Sequence, residues 1–200
     1  MKKDQLTITL SKISKQRKIM ARIEPINPKD ATGKAKDLLD GVQAKFGKAP
    51  NIFKAMANSP AALEGFLQLH GALAAGVLSE SFQEQIALCV SEINGCNYCL
   101  AAHTVMGKGA GLSEDETIAS RKGVSSDSKT QAGLEFARQV VSSQGRVSDD
   151  DYNAVIQAGY SSEEIIEIVA LVAKNLFANY FNHIAETATD FPAAPSLKEG

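Results

Sequence analysis

Two cysteines separated by two residues are the side chains of this sequence best suited to covalent chemistry. Cys96 and Cys99 stand in the segment 94–103, whose pattern predicts a helix that begins at about Cys96. Helical positions three apart have Cα atoms about 5 Å apart, which lies within the window for a disulfide. A bridge over so few residues removes little entropy from the unfolded chain. The pair is therefore interpreted as a reversible redox dithiol and not as a structural staple.

The expected start of this helix favours a reactive sulfur. Exposed amides and the helix macrodipole stabilise a thiolate in the first turn, and Cys96 gains most from them. His103 lies four residues after Cys99, so its imidazole is expected to lean back over that thiol and take its proton or pair with the thiolate. The two effects favour different cysteines, and the residues alone leave the order of attack open.

Glu84 is the candidate for the carboxylate end of a proton relay. It lies 12 residues before Cys96, on the preceding predicted helix, and the Asn94-Gly95 turn is expected to fold that helix back against the dithiol. The alternative is local: Ser81 and Glu84 have the spacing of a capping box.

A metal site is the alternative interpretation of the two cysteines, the histidine and the glutamate. Zinc normally takes four ligands. The chain offers four candidates: Glu84, Cys96, Cys99 and His103. Three of them lie within eight residues of one helix, so a closed tetrahedron is hard to complete. We therefore expect neither a metal nor another cofactor.

Other residues with reactive or polar side chains are not assigned to the proposed relay. Cys89 lies in a continuous apolar run and is expected in the core. His70 lies among apolar residues and is expected to be structural or at an interface. The last predicted helix carries a polar stripe made of Asn175, Asn179, Asn182 or His183, and Glu186. This stripe is either a solvated face or a hydrogen-bonding surface at a subunit contact or near the redox site.

Charge and composition divide the chain. The formal net charge of −2 over 200 residues gives no reason to expect nucleic acid binding. The first 20 residues hold six basic side chains and one acid, which leaves a net charge of −7 in residues 21–200. We expect a basic leader over 1–22, disordered or an upstream extension with Met20 as the start. A helical domain over 23–192 and a tail over 193–200 follow.

The same sequence indicates the compartment. The leader lacks the apolar run of a secretory signal, and no stretch of 18 apolar residues suggests a membrane span. A closely spaced cysteine pair without an export signal favours a reducing compartment. The protein is therefore expected in the cytoplasm and away from membranes.

Helix-start and helix-stop signals predict an all-α bundle. Asn27-Pro28 and Ser59-Pro60 are typical of N-caps followed by proline, and Ser79 or Ser81 is expected to cap the next helix. Capping-box spacings begin at Ser113, Ser148 and Ser161, and the last helix is predicted over about 162–187. One short strand-like run, 6–10, lies in the leader.

These residues resemble a known family. Glu84, Cys96-Asn97-Tyr98-Cys99 and His103, at their spacing, are similar to the core motif of the alkylhydroperoxidase D / carboxymuconolactone decarboxylase superfamily, over residues 78–112. The segment 179–185 with 190–192 is similar to its peroxidase-related branch, and the resemblance extends over about 40–192. Tyr98 departs from the best-known branch, which has histidine between the cysteines.

The resemblance implies a compact helical bundle of the alkylhydroperoxidase D-like type and a homo-oligomer. It implies a peroxidase that reduces hydroperoxides, with Glu84, Cys96, Cys99 and His103 as the relay. Cys99 would attack and Cys96 would resolve, and an external dithiol, such as a dihydrolipoyl protein, would recycle the disulfide. The alternatives are a dithiol–disulfide oxidoreductase acting on a partner protein and a redox-sensing oligomeric module.

Overall fold

A computed structural model describes residues 21–197 of the chain, and within this range the regular structure is entirely helical. The all-α prediction is confirmed. The helices are α1 Gly33–Phe46, α2 Asn51–Met56, α3 Pro60–Ala74, α4 Glu80–Ile93, α5 Asn97–Gly109, α6 Glu114–Arg121, α7 Ser128–Ser142, α8 Asp149–Gln157 and α9 Ser162–Ala185. None of them is long and apolar enough to cross a bilayer.

Helix α4 lies at the centre of the bundle. Its residues 82–91 are all buried, and it packs against α5, α6, α7 and α9. A helix that buries every face must stand inside the protein. On one side of α4, apolar side chains of α7 and α9 form the larger hydrophobic core, which includes Ile86, Leu134 and Ile168. Cys89 lies in this core, as expected, and burial raises the pKa of its thiol to about 11.

A second hydrophobic cluster surrounds the dithiol. It joins apolar residues of α1, α2 and α3, among them Leu39, Met56 and Leu63, to Cys96 and Cys99. The N-terminal helices therefore form a wall beside the cysteines.

Several predicted helix ends are confirmed. Ser59 caps α3 with Pro60 in the first turn, and Ser113 and Ser161 form complete capping boxes with the glutamates three residues later. Ser148 caps α8. The predicted cap of α4 at Ser79 or Ser81 is confirmed at Ser79, whose Oγ accepts the amide of Phe82. The last helix ends at Ala185, two residues before the predicted end.

Other predictions about the helices are wrong. Asn27 holds only a turn, through bonds from the amides of Lys29 and Asp30, and α1 begins later, at Gly33. Helices α2 and α7 were not expected.

The ends of the predicted domain are partly described. The strand-like run 6–10 and Met20 lie outside the described residues. Of the expected leader, Arg22 pairs with Glu186 at 2.8 Å. Of the expected tail, Pro195 accepts a hydrogen bond from the Arg121 guanidinium through its carbonyl oxygen. These contacts attach both ends of the described chain to the bundle.

Candidate active site

The turn between α4 and α5 positions the dithiol. Asn94 ends α4, and Gly95 has a φ of 65°, in the left-handed region that glycine adopts without strain. The amide of Cys96 then donates to the carbonyl of Ser91 at 2.9 Å, which closes the turn. Cys96 is the N-cap of α5, and its Sγ accepts the amide of Cys99 at 3.4 Å. The predicted helix start at Cys96 is therefore confirmed.

The two sulfur atoms form one coupled pair. Both cysteines are free thiols with Sγ atoms 2.7 Å apart, and their residues are 1% and 3% exposed. The hydrogen bond between the two side chains lowers the pKa of Cys96, and the amide of Cys99 adds to this effect. The same sulfur–sulfur hydrogen bond, with burial, raises the pKa of Cys99. At rest the negative charge is therefore favoured on Cys96, at the helix N-terminus.

Glu84 and His103 meet at the interface of α4 and α5. Glu84 Oε2 lies 2.7 Å from His103 Nδ1, and both side chains are largely buried. With Glu84 ionised, Nδ1–H donates to the carboxylate, and this fixes Nε2 as the ring nitrogen that exchanges a proton. The structure brings these two residues together as the sequence predicted. Among the described residues, no hydrogen bond joins His103 to either sulfur.

The polar stripe of α9 is buried and contacts the CxxC turn. Asn182 donates through Nδ2 to Cys99 Sγ at 3.2 Å. Asn179 donates to Ser91 Oγ at 3.3 Å and accepts from Asn94 at 3.0 Å. These amide groups lower the pKa of both cysteines. Of the two alternatives for the stripe, the solvated face is therefore wrong.

The ends of the stripe differ from this pattern. Asn175 is buried, and its Nδ2 donates to the carbonyl of Leu171. His183 and Glu186 are exposed, and Glu186 ends the helix in a left-handed conformation. The asparagines thus form the buried part of the stripe.

A cavity of about 160 Å³ opens onto one sulfur of the pair. Its walls are mostly apolar and aromatic, with a few polar groups. They are made by Phe46, Lys48, Pro50, Ile52, Phe53, Phe66, His70, Tyr98, Cys99, Ala102, His103, Met106, Lys174, Asn175, Ala178 and Phe191. Cys99 and His103 line the cavity, whereas Cys96 and Glu84 lie behind them. A molecule in the cavity therefore meets Cys99 first.

Two cavity residues have basic side chains whose charged forms are disfavoured. His70 packs beside Phe46, with ring centroids 6.4 Å apart, and burial together with Lys174 and Lys45 lowers its pKa to about 4. His70 is therefore neutral at pH 7. Lys174 is 6% exposed, and burial lowers its pKa.

Tyr98, between the two cysteines, holds the C-terminal segment in place. Its hydroxyl bonds residues of that segment and of α2 and neither sulfur atom. Its hydroxyl donates to Asp190 Oδ1 at 2.8 Å and accepts the amide of Ile52 at 3.3 Å. Its ring meets Phe191 edge-on, with centroids 5.8 Å apart. Burial raises the pKa of Tyr98. Because the ring holds Asp190 and Phe191 against α5, Tyr98 builds one wall of the cavity.

No sequence pattern marks Lys174 as a residue of the site, because a lysine in an amphipathic helix is ordinarily solvated. Lys48 was also missed, because it lies in a loop and no local pattern marks it. Phe191 lies in the segment 190–192 that resembles the peroxidase-related branch, but the sequence alone did not place it at the cavity. Within residues 21–197, no three His, Cys, Asp or Glu side chains are arranged to hold a metal ion.

This chain is similar to one protein family in sequence and to several solved structures in fold. The profile of the carboxymuconolactone decarboxylase family matches residues 60–140, a range that includes the dithiol, Glu84 and His103. No curated protein sequence gives a significant match.

Solved structures share the fold over most of the chain. An alkylhydroperoxidase AhpD core protein from Ralstonia eutropha, described as an uncharacterized peroxidase-related protein, is 23% identical with a TM-score of 0.76, and the match covers 86% of this chain and 93% of that one. A peroxidase-related protein from a Silicibacter species is 20% identical with a TM-score of 0.73, covering 84% and 90%. The debrominase Bmp8 is 21% identical with a TM-score of 0.73, covering 84% and 92%. A cysteine-to-alanine variant of Bmp8 was solved with 2,3,4-tribromopyrrole.

Proposed function

We propose that this chain is a thiol-dependent peroxidase of the carboxymuconolactone decarboxylase superfamily, a proposal that the family match over residues 60–140 and the alkylhydroperoxidase D-like fold support. The observation that carries the proposal is the position of Cys99. This sulfur lines an apolar cavity, lies 2.7 Å from a second thiol, and shares the cavity wall with a histidine bonded to a carboxylate. Two-electron reduction of a small peroxide needs such groups: an accessible attacking thiol, a second thiol to close the disulfide, and a proton donor for the leaving group.

In the proposed reaction Cys99 attacks. Its proton passes to Cys96, whose sulfur lies 2.7 Å away and carries the negative charge at rest. Asn182 donates to the sulfur of Cys99 and supports the thiolate there. The thiolate attacks the terminal oxygen of the peroxide, the O–O bond breaks, and Cys99 becomes a sulfenic acid. The leaving alkoxide takes a proton from Nε2 of His103, the proton that Cys96 released on ionising, while the Nδ1 proton stays bonded to Glu84.

The second step closes the disulfide. The sulfur of Cys96 attacks the sulfenic sulfur of Cys99, an S–S bond forms, and the hydroxyl leaves as water. An external dithiol then reduces the bridge and is itself oxidised to a disulfide. The three steps together convert one hydroperoxide and one external dithiol into an alcohol, water and a disulfide.

Burial of the pair favours this function over disulfide exchange with a folded partner protein. Cys96 and Cys99 are nearly inaccessible, and the cavity reaches only Cys99. Attack on a protein disulfide requires a thiolate that a large partner can approach. A small peroxide can enter the cavity, and so can a slender dithiol such as a dihydrolipoyl arm. A redox-sensing module without turnover is the remaining alternative.

An exposed apolar stripe on α9 supports the proposal that the protein is a homo-oligomer. The stripe runs along one face of the helix. It consists of Ile166, Val169, Phe177, Tyr180 and Ile184, which are 67%, 43%, 44%, 53% and 62% exposed. Contiguous apolar surface of this kind is typical of a contact between subunits. It lies on the opposite face from the buried asparagines.

Peroxide consumption under steady turnover tests the function. The full chain is mixed with cumene hydroperoxide and either dihydrolipoamide or another dithiol, and peroxide loss is followed in wild type, Cys96→Ser, Cys99→Ser and the core control Cys89→Ala. Turnover that both site variants lose and the control keeps supports the peroxidase. Disulfide exchange without peroxide loss contradicts it, and so does a reversible change of assembly with no turnover. Bromide release from 2,3,4-tribromopyrrole, faster than any peroxide loss, assigns the dithiol to dehalogenation instead.

A further inference from the structure

Lys174 is a buried lysine whose place in the fold the reaction does not explain. It lies on α9 between Ala173 and Asn175, is 6% exposed, and lines the same cavity as Cys99. Among the described residues, the ammonium group of Lys174 forms neither an ion pair nor a hydrogen bond. Burying an unpaired charge is strongly unfavourable. A side chain kept in this position is therefore suited to meet an anion that enters from outside.

The surroundings of Lys174 leave that position open for a ligand. The nearby carboxylate of Glu84 attracts the lysine, but its Oε2 is bonded to His103. His70 is also a basic group of the wall, and it is neutral at pH 7, while Lys48 of the same wall pairs with Asp190 at 3.7 Å. Among residues 21–197, no carboxylate lines the cavity. The amino group of Lys174 is thus available within an apolar and aromatic enclosure, where an entering anion would stabilise its charged form.

The size of the enclosure limits what can bind. In another protein, an engineered apolar cavity of about 150 Å³ holds one benzene ring. The cavity here is about 160 Å³ and has the rings of Phe46, Phe53 and Phe66 in its wall. One aromatic ring, or an alkyl group of similar volume, therefore fits between the sulfur and the lysine.

We infer that Lys174 is an anion-binding subsite and that the substrates are small apolar hydroperoxides bearing a carboxylate. The carboxylate pairs with the ammonium of Lys174, the apolar body contacts the phenylalanine rings, and the peroxide end meets Cys99. This inference rests on the proposed peroxidase function for the reacting end, but the anion subsite itself does not depend on it. The ion pair also orients the peroxide, because Lys174 holds the carboxylate of the substrate while the phenylalanine rings hold its apolar body.

A matched pair of peroxides tests the subsite. Cumene hydroperoxide is neutral, and its para-carboxylate carries the proposed anchor on the same ring. We expect wild type to show a kcat/KM about tenfold higher for the carboxylate, the effect of one buried charged contact. Lys174→Met should reduce this ratio to near one, Lys174→Arg should restore part of it, and the exposed control Lys122→Met should keep it. Lys174→Met removes a buried charge, so it is expected to fold.

The outcomes separate this inference from the peroxidase proposal. Turnover of both peroxides with no preference for the carboxylate, or a preference that Lys174→Met retains, overturns the subsite and leaves the peroxidase standing. If wild type consumes neither peroxide, the peroxidase fails, and benzoate binding followed by calorimetry decides the subsite. Benzoate affinity about tenfold lower in Lys174→Met than in Lys122→Met supports it. Equal affinity in the two variants, or no binding to wild type, overturns it.

Discussion

Asn182 donates through Nδ2 to the sulfur of Cys99 at 3.2 Å, so a residue of α9 takes part in the chemistry of the CxxC turn. Removing this donor should destabilise the thiolate. We expect Asn182→Leu to raise the pH midpoint of thiol alkylation by about one unit, the effect of one hydrogen bond to a charged group. The rate of iodoacetamide reaction, measured against pH, gives the midpoint. His183→Ala, an exposed neighbour, is the control. An unchanged midpoint in a folded Asn182→Leu protein would show that the contact does not tune the dithiol.

Glu84 fixes His103 through the 2.7 Å bond to Nδ1. Glu84→Gln keeps the size of the side chain and removes the charge, so the ring loses its fixed tautomer. We expect kcat for peroxide reduction to fall by about a hundredfold, the range of one general acid–base contribution. The matched control is Glu92→Gln on the same helix, whose carboxylate pairs with Arg121 away from the cavity. A loss of the same size in both variants would indicate damage to the bundle and not to a relay.

The Tyr98 hydroxyl joins α2 to the C-terminal segment. Tyr98→Phe leaves the amide of Ile52 and the carboxylate of Asp190 without this partner. We expect a loss of about 1–2 kcal/mol in the free energy of unfolding by urea. Hydrogen exchange should quicken at the amide of Ile52 and in residues 188–192. Because the Tyr98 hydroxyl bonds Asp190 and Ile52 and neither sulfur, the pH midpoint of thiol alkylation should not move. A shifted midpoint with unchanged stability would place Tyr98 in the relay.

His70 makes stability sensitive to acid. Its folded pKa of about 4 lies below the ordinary value of 6.5, so between these values the unfolded chain binds more protons than the folded one. The free energy of unfolding should therefore fall as pH decreases from 6.5 to 4, by up to about 3 kcal/mol from this residue. His70→Gln should remove that part of the slope, whereas the exposed control His183→Gln should not. Urea unfolding at several pH values measures it, and equal slopes in the two variants contradict the burial of His70.

Local signals in the sequence predicted what depends on local structure. Capping serines at 59, 113 and 161 mark helix starts, and the Asn94-Gly95 turn brings Glu84 and His103 together, because helices joined by a tight turn pack side by side. The helix start at Cys96 follows from the same turn. The family profile over residues 60–140 covers this part of the chain.

Long-range packing accounts for the residues that the sequence did not place. Lys174 and Asn182 are separated from Cys99 by more than 70 residues, and only the packing of α9 against α4 and α5 brings them to the site. Asn27-Pro28 has the residues of a helix start, but the turn there is not continued, since α1 begins at Gly33. The periodicity of the asparagines showed that they share one face of the helix, but it could not show whether that face is buried or exposed to solvent.

The most direct test of the proposed mechanism is the site of sulfenic acid formation. Each protein receives one equivalent of cumene hydroperoxide with dimedone present, and mass spectrometry locates the adduct. The predicted result is a Cys96–Cys99 disulfide in wild type, a sulfenic adduct on Cys99 in Cys96→Ser, and no adduct in Cys99→Ser. Cys89→Ala should behave as wild type. A clear adduct on Cys96 in Cys99→Ser, formed as fast as wild type reacts, would contradict Cys99 as the attacking residue.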